Sequence, residues 1–405
     1  MSEIKPFMAL RPHLEFAVDV AALPYDVLSS DEARLEANPF SFLHVDKAEI
    51  DLPQGTDLYS DEVYKKAKEN FGKMIADGII SKDTTPCYYI YLLTMGGRRQ
   101  YGIVACASID EYLDGRIKKH ELTLSAKEDD RARHVDALDA QTGPIFLTYR
   151  RRKEIDEIVS DWTTSHAPVY DFTSKDWISH TAWVVDAPAY ISAISRAFLK
   201  VPALYIADGH HRNAGAARVA LKRRETHGAG EHDYCLSVIF PDNQLKILDY
   251  NRLVRDLNGF SPEGFLEELK KNFAVEKFDG RIAPKKPHTF SMYMGGSWYV
   301  LKAKTVPADL IESLDVSILQ KRVLSELLGI DDPRTDKRVD FVGGIRGLAE
   351  LERRVNEDGW AAAFAMYPTS LGELLEVADA GLIMPPKSTW FEPKLRSGLF
   401  MHRLK

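Results

Sequence analysis

The stretch 201–221, VPALYIADGHHRNAGAARVAL, constrains this chain more than any other part of it. An apolar run over 203–207 stops at Asp208-Gly209. It gives way at once to His210, His211, Arg212 and an alanine-rich segment. That order predicts a strand, a tight turn and a helix start. A helix beginning there presents unpaired backbone N–H groups and the positive end of its dipole, so the turn suits an anion, phosphate above all. Gly209 lets the backbone turn and approach a ligand, while Ala214, Ala216, Ala217 and Ala220 allow the helix to pack tightly on a sheet. Arg212 offers a planar fork to phosphate oxygens. Asp208 is the odd member: it can cap the helix, hold a divalent cation or orient a hydroxyl substrate. The plain alternative is a capped core helix with surface histidines. An acid, two imidazoles and a guanidinium within five residues argue instead for a site.

At 405 residues the chain exceeds what one small core requires, so two domains are expected. The first, 1–258, carries the phosphate-binding core, and the second, 259–405, is an α+β lobe whose basic tail folds back. A net charge of −7 argues against a protein that grips a nucleic-acid backbone, so nucleic acid is not an expected partner. Cys87, Cys106 and Cys235 are too few and too scattered for a disulfide framework or a closed zinc site. A reducing cytoplasm fits, and no protein-bound metal site is expected. No run approaches the roughly 20 apolar residues of a membrane span, and the N-terminus lacks an apolar signal core.

A helix is expected from about 30 to 38, capped by Ser29 or Ser30 and stopped by Asn38-Pro39, with an amphipathic helix over 60–77. Pro24-Tyr25-Asp26 reads as a structural turn. Strands over 87–93 and 101–108 are joined by TMGGRRQ, whose Gly96-Gly97 pair suits a hairpin; the second strand is expected to run on through IDEYLDG. It leads into the chemically dense RIKKHELTLSAKEDDRARHVDAL, where Lys127 opens a helix. Glu121 lies outside the helical pattern, among basic groups that keep it ionised. Beside a phosphate site such a carboxylate can take a proton from an alcohol; a solvated charge run is the competing reading.

Further strands fall at 145–149, 177–185, 234–240 and 245–248, with helices at 153–162 and 189–199. The alternation is too irregular for a doubly wound sheet, so a mixed sheet in an α+β fold is expected. A second series follows: helix 263–272, strands 289–294 and 298–301, helices 315–328 and 346–355, strand 361–366 and helix 371–378. In the tail, Pro385, Pro386 and Pro393 oppose regular structure while Trp390, Phe391 and Phe400 demand burial. From Ala380 onward Lys387, Lys394, Arg396, Arg403 and Lys405 face one acid, Glu392. Folding back, such a segment either adds cations to an anion site or seals a core.

PYDV at 24–27, KHELT at 119–123, KEDDR at 127–131, ADGHHR at 207–212, DFVGG at 340–344 and MPPKSTWFEPKLRSGLF at 384–400 occur in that order. Together they resemble domain-of-unknown-function family 1015, whose members often carry a SpoOJ/ParA/ParB/RepB-like label. The DGHHR segment, preceded by a histidine-glutamate pair, is similar to free-serine kinases of the ParB/sulfiredoxin-like fold. The resemblance implies a mixed-sheet ParB/sulfiredoxin-like core with an N-terminal elaboration and a second α+β lobe. It also implies a phosphotransferase moving a phosphate from ATP or ADP, with Mg2+, to the hydroxyl of serine or a similar metabolite. In that reading Glu121 activates the hydroxyl, Asp208 orients magnesium or the hydroxyl, and His211 is a transition-state donor. Gly209, His210 and Arg212 cradle the nucleotide phosphates, with Lys119 and Lys387 adding positive charge. A homodimer is left open. The chain departs from the family where members commonly show a histidine before arginine: here the pair is Asn251-Arg252. That departure keeps a non-catalytic nucleotide-binding regulator open, and the family label keeps a ParB-like DNA-binding protein open. Neither the GxxxxGK[ST] loop nor the protein-kinase HRD and DFG set is present.

Overall fold

A computed structural model describes residues 1–405 and divides into two compact units. The first comprises Met1–Lys119, Thr123–Leu245 and Pro393–Lys405; the second comprises His120–Leu122 and Lys246–Glu392. The division after residue 258 expected from the sequence differs from this one for a hydrogen-bonding reason. Tyr250–Val254 is a strand of the second unit's sheet, paired with Val339–Gly343 and Ala362–Ala365.

The first unit is built on a nine-stranded mixed sheet. Its strands run in the order Ile117–Lys118, Leu204–Asp208, Ile145–Tyr149, Tyr234–Pro241, Arg98–Ser108, Tyr88–Met95, Ser179–Val185 and Tyr170–Thr173, with Ile4–Lys5 also pairing on Arg98–Ser108. Only two pairings are parallel, Leu204–Asp208 with Ile117–Lys118 and Tyr234–Pro241 with Ile145–Tyr149. The central strands read as near-continuous apolar runs because both of their faces are covered. Gly96 and Gly97, both at positive φ, close a two-residue hairpin between Met95 and Arg98. Beyond Ser108 the chain does not continue as a strand: Ile109–Leu113 is a short helix with Asp110 and Glu111 in its first turn, where the helix dipole favours acids.

Ser30–Glu36 starts at a reciprocal capping box between Ser29 and Glu32. Asp61–Ala76 buries Val63, Ala67, Phe71 and Met74, the face its periodicity predicts. Residues of the tail complete this unit. Ser397 bridges to Ala22, Met401 to Leu10, and His402–Arg403 pairs with Ala140–Gln141. Leu395, Leu399, Phe400, Met401 and Leu404 are buried here, and Phe391 is buried in the second unit, whereas Trp390 is only partly covered.

The second unit carries a six-stranded antiparallel sheet around a core of Leu253, Tyr293, Trp298, Leu351 and Trp360. The helix expected over 315–328 is α-helical only over Asp315–Leu319. It widens to a π-helical turn over Gln320–Ser325. Asn251 is fully buried in the sheet: its amide donates to Asp249 at 2.6 Å and its carbonyl oxygen accepts from the Met366 N–H at 2.9 Å.

Candidate active site

Leu204–Asp208 is buried along Leu204, Tyr205, Ile206 and Ala207 and emerges at Asp208, whose side chain is 28% exposed. Against Ile145–Tyr149 its register slips between Ile206 and Asp208, a bulge that leaves Ala207 without a partner. Such a bulge re-aims the side chain that follows it. Gly209 follows with φ 97° and ψ 29°, the left-handed region that glycine enters without strain, and occupies the N-cap of helix His210–His227. Asp208 does not cap this helix, one of the three roles open to it in the sequence.

Its carboxylate instead collects cations. Oδ2 lies 2.9 Å from the Lys394 ammonium and Oδ1 lies 3.8 Å from the Arg212 guanidinium. Burial works to raise the pKa of Asp208, but Lys394, Arg212 and His210 overcome it and hold the group below the usual carboxylate range. Lys394 is the residue the sequence reading did not select from the tail. Nothing local marks it, because its partner lies 186 positions earlier.

Arg212 is only 12% exposed and donates from Nη1 to the Pro144 carbonyl oxygen at 2.7 Å. Gly209 leaves room for its guanidinium. A Cβ on Gly209 would lie 3.1 Å from Arg212 Nε, whereas one on Gly143 would make an ordinary contact at 3.6 Å from Nη1. Under it is a cavity of about 30 Å³, enough for one water, whose lining includes Tyr25, Asp46, Arg131, Thr142 and Ser397. The Tyr25 ring stacks on the Arg131 guanidinium at 3.8 Å, and burial pushes its hydroxyl up to about 12. The PYD turn, read from the sequence as structural only, thus contributes a wall beside Arg212.

His210 is buried. His211 accepts from the Leu124 N–H at 3.1 Å through Nε2, so it caps the start of helix Ser125–Leu138 and carries its proton on Nδ1. That helix packs against His210–His227 at Gly215, where a Cβ would come 2.9 Å from Arg131 Cβ. The small residues of the alanine-rich helix therefore serve a helix–helix approach as well as the sheet. Lys119 is exposed at the end of one segment of the first unit. Glu121 and Lys387 belong to the second unit. Lys387 stands at φ 57°, its ammonium 5.5 Å from the Tyr250 ring centroid, and its carbonyl oxygen accepts from Arg252.

An acid–glycine turn between a bulged strand and an 18-residue helix, with a lysine and an arginine beside the acid, forms a strand–turn–helix unit on a mixed sheet in an α+β fold. The chain belongs to the family described as protein of unknown function DUF1015, which matches residues 4–317. No curated protein matches it in sequence. Among solved structures it is similar to a mutant free serine kinase in complex with ADP, with 16% identity, 75% of this chain and 92% of that chain covered, and a TM-score of 0.37. It is also similar to SbnI with a C-terminal truncation from Staphylococcus aureus, at 14% identity, 73% and 87% coverage and a TM-score of 0.37. A conserved hypothetical protein from Pyrococcus furiosus matches at 15% identity, 74% and 94% coverage and a TM-score of 0.35. No helix is long and apolar enough to cross a membrane.

Proposed function

We propose that the 208–212 turn binds the phosphates of ATP or ADP and that the protein transfers a phosphoryl group to the hydroxyl of serine or a similar small metabolite. The observation that carries this reading is the gathering of Lys394 and Arg212 around Asp208 at the Gly209 helix start. Phosphoryl transfer needs charge neutralisation and alignment more than covalent help from the protein. Two cations and a helix N-terminus supply the first, and a turn fixed by a bulge and by the Arg212–Pro144 hydrogen bond supplies the second. With one carboxylate at the turn, the donor set fits Mg2+ arriving with the nucleotide, since that ion is commonly held by one or two carboxylates plus phosphates. When bound it would neutralise charge on the phosphate oxygens.

In this proposal the substrate oxygen bonds to the terminal phosphorus, the bond to the departing nucleotide oxygen breaks, and the hydroxyl proton passes to Glu121. Arg212 and Lys394 hold the phosphate oxygens, His210 contributes a donor from its buried position, and His211 holds the neighbouring helix start. Lys119 and Lys387 add positive charge. The core is assigned to the ParB/sulfiredoxin-like fold and the protein to the cytoplasm.

The test is incubation of the pure protein and Mg2+ with serine and labelled ATP or ADP, alongside Glu121→Gln and a working serine kinase. Phosphoserine from the wild type and at least a hundredfold less from Glu121→Gln, roughly the contribution of a general base, are expected. Absence of product with either donor removes the catalytic reading. Nucleotide binding without turnover would then favour a regulator.

A further inference from the structure

Arg252 lies on strand Tyr250–Val254 of the second unit and is 4% exposed. Its guanidinium donates to the backbone carbonyl oxygens of Tyr250 and Lys387, the latter at 3.0 Å, and lies 5.3 Å from the Phe341 ring centroid. No carboxylate pairs with it. A guanidinium has five N–H donors in a fixed fork, and a buried charge without a counter-charge is costly to keep. Burial accordingly pushes Arg252 down to about 10. The same side chain lines a cavity of about 360 Å³, shared with Gln320, Asp331, Asp332, Arg334 and Pro386. Asp332 and Arg334 pair at 2.8 Å, which leaves Arg252 and Asp331 as the charges of the lining without an ion pair, Asp331 accepting a hydrogen bond from the Ser325 hydroxyl. Gln320 opens the π-helical turn, a backbone feature that recurs at ligand sites.

We propose that this cavity binds a small zwitterion of the amino-acid class, its carboxylate held by the Arg252 fork and its ammonium by Asp331. A carboxylate fits the planar fork through two parallel hydrogen bonds and supplies the missing counter-charge. A polyphosphate is disfavoured, because Asp331 and Asp332 face the same space. The volume falls within the usual range of small-molecule sites, about 300–1,000 Å³. Every residue involved lies outside the 208–212 turn, so this inference and the phosphotransfer proposal can fail separately.

The test is calorimetric titration of the full chain, free of nucleotide, with glycine, L-alanine, L-serine and L-aspartate. Lactate, ethanolamine and inorganic phosphate are titrated for comparison. At least one amino acid is expected to bind saturably and more tightly than lactate or ethanolamine. Arg252→Met should weaken it by about tenfold or more, the loss of a charge-assisted pair. Asp331→Asn should weaken the amino acid and leave lactate unchanged. The proposal is overturned if no amino acid binds, if phosphate or lactate binds as tightly as the best amino acid, or if a folded Arg252→Met retains affinity. Should Arg252→Met fail to fold, Asp331→Asn, at an exposed position, decides: unchanged amino-acid affinity overturns it.

Discussion

The ammonium of Lys394 sits 2.9 Å from Oδ2 of Asp208, a contact spanning 186 positions of the chain. An incoming phosphate would find a lysine already positioned and an acid that offers it an alternative partner. Lys394→Gln should lower affinity for a fluorescent ATP analogue by about tenfold, as expected for one lost charge-assisted hydrogen bond. Thermal unfolding should move down by several degrees, because Asp208 loses the nearer of its two cations while the tail keeps its bridges at Ser397 and Met401. Unchanged nucleotide affinity in the variant would remove Lys394 from the site.

Gly209 combines φ 97° with a guanidinium 3.1 Å from where a Cβ would stand. Gly209→Ala should cost about 1–2 kcal/mol of stability from the left-handed backbone alone. It should also reduce nucleotide binding by displacing Arg212. Gly209→Asn, which tolerates that backbone better, should recover stability in urea unfolding without recovering binding.

At Gly215 the neighbouring helix is so close that a Cβ would meet Arg131 Cβ at 2.9 Å and the Ala132 nitrogen at 3.1 Å. Gly215→Val should destabilise by about 1–3 kcal/mol through overpacking. Urea denaturation measures this directly, and a neutral result would mean that the two helices are free to separate.

His180 is fully buried, with Tyr91 Oη 2.7 Å from Nδ1 and the Arg396 Nε–H donating to Nε2 at 3.3 Å. Burial, aided by the Arg396 charge, pushes it down to about 3 from 6.5. Between those values the unfolded chain binds a proton that the folded one refuses. Stability is therefore fully present above pH 6.5 and is lost as pH falls toward 3. Urea midpoints should show a loss of roughly 2–3 kcal/mol from this group between about pH 6.5 and 4.5. His180→Gln should flatten that slope. An equal slope in both proteins would rule out this histidine as its source.

Much of the first unit was legible in the residues themselves. The strand and helix around Asp208-Gly209 follow from an apolar run, a glycine and an alanine-rich face, and the Gly96-Gly97 hairpin from its turn chemistry. Local pattern failed where a longer-range contact or a subtler backbone choice decided. Ile109–Leu113 turns helical after an apolar strand, and Gln320–Ser325 widens within what reads as one helix. Asp208 was recognisable as chemically important, but its partner was not, since Lys394 resembles every other lysine of the tail until the chain returns. Tyr25 read as a turn residue because the ring beneath which Arg131 lies is a tertiary fact.

That return has a consequence for how the protein comes into being. Residues 246–392 are synthesised between the main body of the first unit and the segment that closes it. While they emerge, Leu10, Ala22 and Gln141 wait with their strand partners not yet made, and Asp208 has no lysine. The nascent first unit therefore carries an open seam through the whole making of its neighbour, which closes only when Pro393–Lys405 docks.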